Sequence, residues 1–441
     1  MTIITADWVI AEPGEEPIKA GAVRVVGTSI TEVGEAAALL ATHPDDDVVS
    51  GSGCVLAPGF VNTHVHLYGV LAHGIPLEVA PTGFWSFLED FWWPKVEDAL
   101  DAPMILTATR WVGAELLRTG TTCFYDILEA PNSLPGILLA QSDEVRRLGL
   151  RGILSFEATE RVSSANGEAG LEENLAMIRA GRSAGPDSLV HGLMCIHTTF
   201  TCPPAFIERA AALAREHDVL LHAHVNEGAH EGLLCHERYG VRTLELYDRL
   251  GVAGPNLLAS QCVQLSDREQ ELIAERGVRV SHMPLSNCEV GGGIAPIPEL
   301  MDRGVTVGLG SDGYLNDMFA VMRGAFLLHK ARLCSPQVMP ASSVFRMATT
   351  AGAEALGLGH LIGRLAPGYR ADLQLIDAGF PTPASAHNLY DQLVLWRSGL
   401  DVREVMVNGE WRVRSGSVDG FDRDHERSRV AHEAQRLWKS A

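Results

Sequence analysis

The chain is short of lysine. Of 441 residues only Lys19, Lys95, Lys330 and Lys439 carry an ammonium group, and 35 basic residues face 55 acidic ones, for a net charge of −20. So acidic a composition argues against non-specific binding of nucleic acid, which needs basic patches to displace counterions. Paired cysteines are missing too: the eight, at 54, 123, 195, 202, 235, 262, 288 and 334, include no Cys-x-x-Cys. That spacing disfavours both a disulfide framework and a cysteine zinc site, and it predicts reduced thiols in a cytoplasmic protein. No uninterrupted apolar run reaches the length of a membrane span. The opening Met1-Thr-Ile-Ile-Thr-Ala-Asp7 has no basic region followed by an apolar core, so no signal peptide is expected. The remaining composition is globular, 46% hydrophobic, and the length suits one large domain with a smaller one.

Both ends of the chain read as short strands and turns. Thr2–Ile10, Ala22–Val26 and Ser29–Val33 lie at the start; Ala371–Ile376, Val402–Val407 and Glu410–Val413 lie near the end, with Asn408-Gly409 as a hairpin turn. Residues 1–56 and 364–441 are therefore expected to close into one small β-sandwich, the second segment adding a charged terminal helix over Asp424–Lys439. Between them, over 57–363, eight apolar runs alternate with helical patterns: Val55–Asn62, Thr121–Ile127, Gly152–Phe156, Leu189–Ile196, Val219–His224, Leu257–Val263, Val278–His282 and Thr306–Gly310. Eight strands separated by helices predict an α/β fold, a (β/α)8 TIM barrel. A doubly wound sheet has the same periodicity, but polar residues gather at the C-terminal strand ends, where barrel active sites lie.

Ala57-Pro-Gly-Phe-Val-Asn-Thr-His-Val-His66 is the most informative of these runs. Side chains alternate along a strand, so His64 and His66 project to one face and make half of a transition-metal site. Later strand ends add donors: His224 with Glu227 three residues on, His282, and Asp312 in Gly308-Leu-Gly-Ser-Asp312. Three neutral imidazoles and a carboxylate suit one divalent transition metal, Zn2+ or Fe2+, with a position open for water. A lone strand-end histidine is more often a satisfied core residue, and a lone aspartate more often a helix cap. Their joint occurrence at four strand ends is harder to explain by packing. One insertion, Phe84-Trp-Ser-Phe-Leu-Glu-Asp-Phe-Trp-Trp-Pro94, packs six aromatics after the first strand. It reads either as a packing anchor or as an aromatic wall, with Trp85 a candidate contact for a planar substrate.

These motifs, with His282-x-Pro-x-Ser-Asn287 and Gly363-Arg-Leu-Ala-Pro-Gly-Tyr-Arg-Ala-Asp372, resemble the amidohydrolase superfamily over nearly the whole chain. The branch they are most similar to holds the aminohydrolases and chlorohydrolases, including guanine, 8-oxoguanine and S-adenosylhomocysteine deaminases and the s-triazine hydrolases. The resemblance implies that His64, His66, His224 and Asp312 bind one metal, zinc before iron. It implies that Glu227 protonates a ring nitrogen, that Asp312 accepts the proton of the attacking water, and that His282 touches the substrate or its developing charge. His197, at a position where the family often places a substrate contact, joins His73, Tyr125 and Trp85 as candidate substrate-binding residues. Two-metal relatives bridge their ions with a carboxylated lysine, and none of the four lysines stands near a suitable strand end, so a single ion is expected. The function implied is hydrolytic deamination of a small nitrogen-rich heterocycle of purine, pterin, pyrimidine or triazine type. Loss of another leaving group, such as chloride or a substituted amine, and a catalytically altered metal-bearing binding protein are the alternatives. The expected partner is that small molecule, with neither nucleic acid nor membrane, in a homo-oligomer.

The sixth strand departs from the pattern. Members of the branch usually carry a histidine that orients and polarises the metal-bound water, where this chain has Gln261. Glutamine can donate and accept hydrogen bonds but cannot carry a proton at neutral pH. Gln261→His should therefore keep the metal and change rate or substrate range; loss of metal in that variant, measured by elemental analysis, would count against the assignment.

Overall fold

Gly59 divides two sheets. The computed structural model describes residues 1–185 and 187–440, and Ala441, the last residue of the expected C-terminal segment, lies outside it. Four strands precede Gly59: β1 (Thr2–Val9), β2 (Ile18–Val26), β3 (Ser29–Glu35) and β4 (Asp47–Pro58). The barrel segments follow: β5 (Phe60–Val65), β6 (Thr121–Leu128), β7 (Arg151–Phe156), β8 (Val190–Gly192), β9 (Met194–Cys195), β10 (Leu221–Val225), β11 (Leu257–Gln261), β12 (Arg279–His282) and β13 (Val307–Leu309). β8 and β9 are the two halves of one barrel strand, broken at Leu193. The chain returns with β14 (Leu373–Asp377), β15 (Val402–Val407), β16 (Glu410–Arg414) and β17 (Ser417–Val418).

Both chain ends enter one eight-stranded sheet, ordered β17-β16-β15-β14-β4-β1-β2-β3. The small domain is thus hydrogen-bonded as one continuous sheet rather than two separate layers. Its outer parts still approach: Ser29 bridges Arg370, and Ile4, Val23 and Ile30 from one end share a core with Leu373, Leu375 and Met406 from the other. The apolar run Val55–Asn62, expected as the first barrel strand, is split at Gly59. Val55–Pro58 pairs antiparallel with β14, while β5 pairs parallel with β6.

The barrel strands form two parallel arcs, β5-β6-β7-β8 and β13-β12-β11-β10-β9. Two parallel bridges join them, Ala158 with Ile196 on one side and Val65 with Asp312 on the other. The second seam is tight because glycine allows it. A Cβ at Gly310 would stand 2.8 Å from the His64 Cβ, and one at Gly308 would stand 2.5 Å from Thr63 Cγ2. Apolar side chains of the inner face, such as Val61, Cys123, Ile153 and Leu258, fill the interior as one cluster, as expected of a packed barrel rather than a pore. Among the described residues no helix is long and apolar enough to cross a membrane.

The aromatic insertion folds as a short helix, Phe84–Ser86, running into a π-helical stretch, Phe87–Val96. Wide π turns are rare and tend to occur at functional sites. The terminal helix, Arg423–Ser440, docks on the same end of the barrel, where the Trp438 indole donates to the Leu71 carbonyl at 2.7 Å. A buried bidentate pair ties barrel to sheet: Arg151 Nε and Nη2 donate to Asp372 at 2.8 and 3.2 Å. The same carboxylate accepts from the Asn408 amide at 2.7 Å. Removing one partner of such a pair leaves a buried, uncompensated charge. Asp372→Ala should cost about 3–5 kcal/mol in chemical denaturation.

Candidate active site

The C-terminal strand ends and the loops above them enclose a cavity of about 420 Å³. Its base is polar: His66, Glu157, His197, His224, Glu227, Gln261 and Asp312. His64 lies beside it, fully buried. Its Nε2 is 3.3 Å from the Nε2 of His66, and Asp312 Oδ1 is 3.8 Å from the first and 3.4 Å from the second. Ligand nitrogens of His64, His66 and His224 all lie within 4.8 Å of one another. A tetrahedral ion with bonds of about 2.0–2.1 Å places its ligand atoms about 3.4 Å apart. The donor set therefore fits a divalent ion.

Neighbouring groups set the orientation of these rings. His66 Nδ1 lies 2.7 Å from the Ile127 carbonyl, which leaves Nε2 as the inward donor. His224 Nδ1 lies 2.6 Å from Glu157 Oε1, the carboxylate–imidazole arrangement that fixes a ligand's tautomer. Burial alone would raise the Glu157 carboxyl, but the facing imidazoles of His224 and His197 outweigh it and hold it at about 2. Asp312 Oδ2 accepts from Gln261 Nε2 and from the Ser286 hydroxyl, each at 2.9 Å, so Oδ1 is the oxygen turned to the histidines. Against burial, His66 and the Gln261 amide hold Asp312 below its ordinary range. Glu227 behaves oppositely: burial first, then the Asp312 carboxylate, pushes it up to about 8. Asn226, Gln261, Cys262 and Asp312 all have φ between 51° and 71°. Left-handed backbone at residues other than glycine is costly and gathers at functional sites.

The structure brings His64, His66, His224, Asp312, Glu227 and Gln261 together. His73 and His197 also line the cavity. The His73 Nε2 is 2.8 Å from the Gly313 carbonyl, tying the first loop to the last. Burial lowers His197 to about 3, so its ring is neutral, and its Nδ1 meets the Thr201 hydroxyl at 2.8 Å. Three expected contacts lie elsewhere. His282, read as a catalytic and substrate contact, points out of the barrel to the helix Met318–Leu333, where its Nε2 is 3.1 Å from that of His329. The alternation explains it, because Ser281 is the inward residue, 2.5 Å from the Thr63 hydroxyl. Tyr125 is fully buried inside the barrel, its hydroxyl 2.8 Å from that of Ser155. Trp85 faces away from the cavity and stacks on His230 with ring centroids 4.0 Å apart. The wall is made instead by its neighbours Phe84, Phe87, Phe91, Trp92 and Trp93.

Sequence reasoning missed Glu97, which follows the insertion and lines the cavity. Its Oε1 accepts from the Tyr68 hydroxyl at 2.8 Å, while its buried Oε2 has no hydrogen-bond partner. Burial, then the carboxylates of Glu129 and Glu157, raises it well above the usual range. Oxygens of these three acids lie within 4.8 Å of one another, as do ligand atoms of Glu157, His197 and His224. Among the described residues no lysine lines the cavity, and Lys330 is engaged by the carbonyls of Pro336, Val338 and Met339.

A barrel with histidines at its first and fifth strand ends and an aspartate after the eighth defines a metal-dependent hydrolase. The family model described as "Amidohydrolase family" matches residues 55–412, and the chain belongs to that family. It is 34% identical over 433 residues to a 5'-deoxyadenosine deaminase of Methanosarcina mazei, covering 96% of this chain and 94% of that protein. It is 33% identical over 408 residues to a 5-methylthioadenosine/S-adenosylhomocysteine deaminase of Syntrophobacter fumaroxidans, covering 90% and 89%. Among solved structures, an adenosine deaminase from Xanthomonas campestris with bound zinc superposes with a TM-score of 0.87 at 25% identity, covering 99% and 98%. The chain is thus a hydrolase of the amidohydrolase family, with a group of side chains that fits a divalent metal. Replacing Glu157 by alanine should loosen the ion about 10- to 100-fold without unfolding the barrel, measured by chelator competition and circular dichroism.

Proposed function

We propose that this protein hydrolytically deaminates an adenine nucleoside, using a single zinc ion held by His64, His66, His224 and Asp312. One observation carries the reading: a carboxyl kept protonated at neutral pH, Glu227, lines the same cavity as an ionised one, Asp312. Two carboxyls pushed apart in this way can divide acid and base work between them. When bound, the ion lowers the pKa of a water so that a strong nucleophile is at hand near neutral pH. Asp312 would accept the proton of the attacking water, and Glu227 would give its own to the ring nitrogen beside the carbon under attack. Asp312 then returns the proton it took to the amino group, which departs as ammonia, while the remaining hydroxyl proton passes to Glu227 as the carbonyl forms and the ring is restored. The aromatic wall covers the flat faces of the base, and Glu97, whose Oε2 has the Arg161 guanidinium at 3.7 Å but no hydrogen-bond partner, stands where a sugar hydroxyl can reach it. The adenosine-derived substrates named for the relatives support the nucleoside, and the neighbour's zinc supports the metal.

Free thiols at all eight cysteines are in keeping with a cytoplasmic location. Trp396 and Leu400, 68% and 78% exposed, are apolar surface that a second copy of the chain would cover in a homo-oligomer.

Ammonia release by the zinc-loaded protein from adenine nucleosides, set against guanine, pterins and chlorinated rings, tests the reaction. Because protonated Glu227 is the active form, activity should be full below its pKa and fall as pH rises through it. Glu227→Gln should retain one zinc per chain while kcat drops about 10²- to 10⁴-fold.

A further inference from the structure

The cavity is lopsided in charge. Five carboxylic residues line it, Glu97, Glu157, Glu227, Glu289 and Asp312, and among the described residues no arginine or lysine does. Arg161, behind the wall, is already engaged: it donates to Glu129 at 2.9 and 2.7 Å and to Asp98 at 2.8 Å, lies 3.7 Å from Glu97 Oε2, and stands over the Trp93 ring. The segments beyond the strand ends add polar His73, Glu97 and Glu289 but also a run of apolar lining, Ile75, Leu77, Phe84, Phe87, Val290 and Leu315. An adenine whose amino-bearing carbon faces the metal ligands directs its sugar and 5' substituent towards those segments.

We infer that the substrate is an adenine nucleoside whose 5' substituent is short, apolar and uncharged. This rests on the deaminase reading above and selects within it. The relatives' names span both kinds, since 5'-deoxyadenosine and 5-methylthioadenosine end in uncharged groups and S-adenosylhomocysteine ends in an amino acid. A carboxylate or phosphate at the 5' end loses its water and meets no arginine or lysine of the lining, only aromatic and apolar side chains and further acids. Burying an ion without a partner is among the most costly contacts a site can make. An uncharged methyl or methylthio group instead gains from leaving water for the apolar loops. A 5'-hydroxyl falls between, because an apolar pocket rejects one weakly.

The test compares kcat/KM of the zinc-loaded protein for 5'-deoxyadenosine, 5'-methylthioadenosine, S-adenosylhomocysteine and adenosine 5'-monophosphate. Calorimetric affinities for the deaminated products 5'-deoxyinosine and inosine 5'-monophosphate give a second readout that needs no turnover. The two uncharged nucleosides should exceed the two charged ones by at least about 100-fold, and 5'-deoxyinosine should bind more tightly than its phosphate by a similar factor. Leu315→Arg, at an exposed position on the rim, should narrow the gap to the monophosphate by at least about tenfold. Turnover of either charged substrate within a few-fold of the uncharged ones, or equal binding of the two products, would overturn the inference. Deamination without regard to charge keeps the deaminase reading and sinks this one. Preferential binding of 5'-deoxyinosine with no nucleoside turned over does the reverse, and binding of neither product sinks both.

Discussion

The site depends on the seam where the last barrel strand meets the first. The His64 carbonyl accepts two backbone amides there, from Ser311 and Asp312, both at 3.0 Å. Asn62 adds a side-chain lock on the same turn, donating to the Ser311 hydroxyl at 2.7 Å and accepting its amide at 3.1 Å. Only with this seam closed does a carboxylate at position 312 come within 3.4 Å of an imidazole at position 66. An open doubly wound sheet would leave its first and last strands apart. The metal-ligand geometry and barrel closure are thus the same fact, and Gly308 and Gly310, which let the two strands approach, serve both.

The metal pair was legible because His64 and His66 stand one residue apart at the end of β5. The strand is not regular throughout: its pairing with β6 shifts register between Asn62 and Val65, so Thr63 meets the inward Ser281 and the next residue, His64, still turns to His66 and His224. Alternation does hold along β12, where it turns Ser281 inward and His282 outward, so an expectation built on the end of the run rather than its phase chose the wrong residue. Gln261 reaches the cavity for the opposite reason. Left-handed backbone at Gln261 and Cys262, φ 71° and 51°, re-aims the end of β11, and strand periodicity carries no sign of such a break. The split at Gly59 had a signal in the Pro58-Gly59 pair, but the apolar residues on both sides read as one run, since residues buried in a sheet or a barrel look alike in composition. Glu97 was out of reach because a π-helical stretch precedes it, where neither the 3.6 nor the 2.0 period says which side chain faces the cavity.

Tyr125 and Trp85 show how aromatic character misleads in two ways. A tyrosine near a strand's end in a barrel can sit one layer below the site and still be polar, because Ser155 satisfies its hydroxyl. A tryptophan in an aromatic insertion can serve the wall from behind. Trp85 contacts Trp93, Phe200 and His230, and Trp93 is the ring that reaches the cavity.

Gln261 is where the chain leaves its family's usual pattern, and its partners explain how the site accommodates it. Its carbonyl oxygen accepts from the Asn287 amide, so its own NH2 has to face Asp312. A glutamine cannot exchange those two ends without losing both bonds. With Ser286 as a second donor, Oδ2 of Asp312 is saturated and Oδ1 alone is left to face the histidines. A histidine at 261 could hold a proton of its own, whereas the amide can only hold the carboxylate in place. The separation of duties between Asp312 and Glu227 then follows from their surroundings. One carboxyl is surrounded by donors and imidazoles and stays ionised. The other is buried beside that negative charge and keeps its proton.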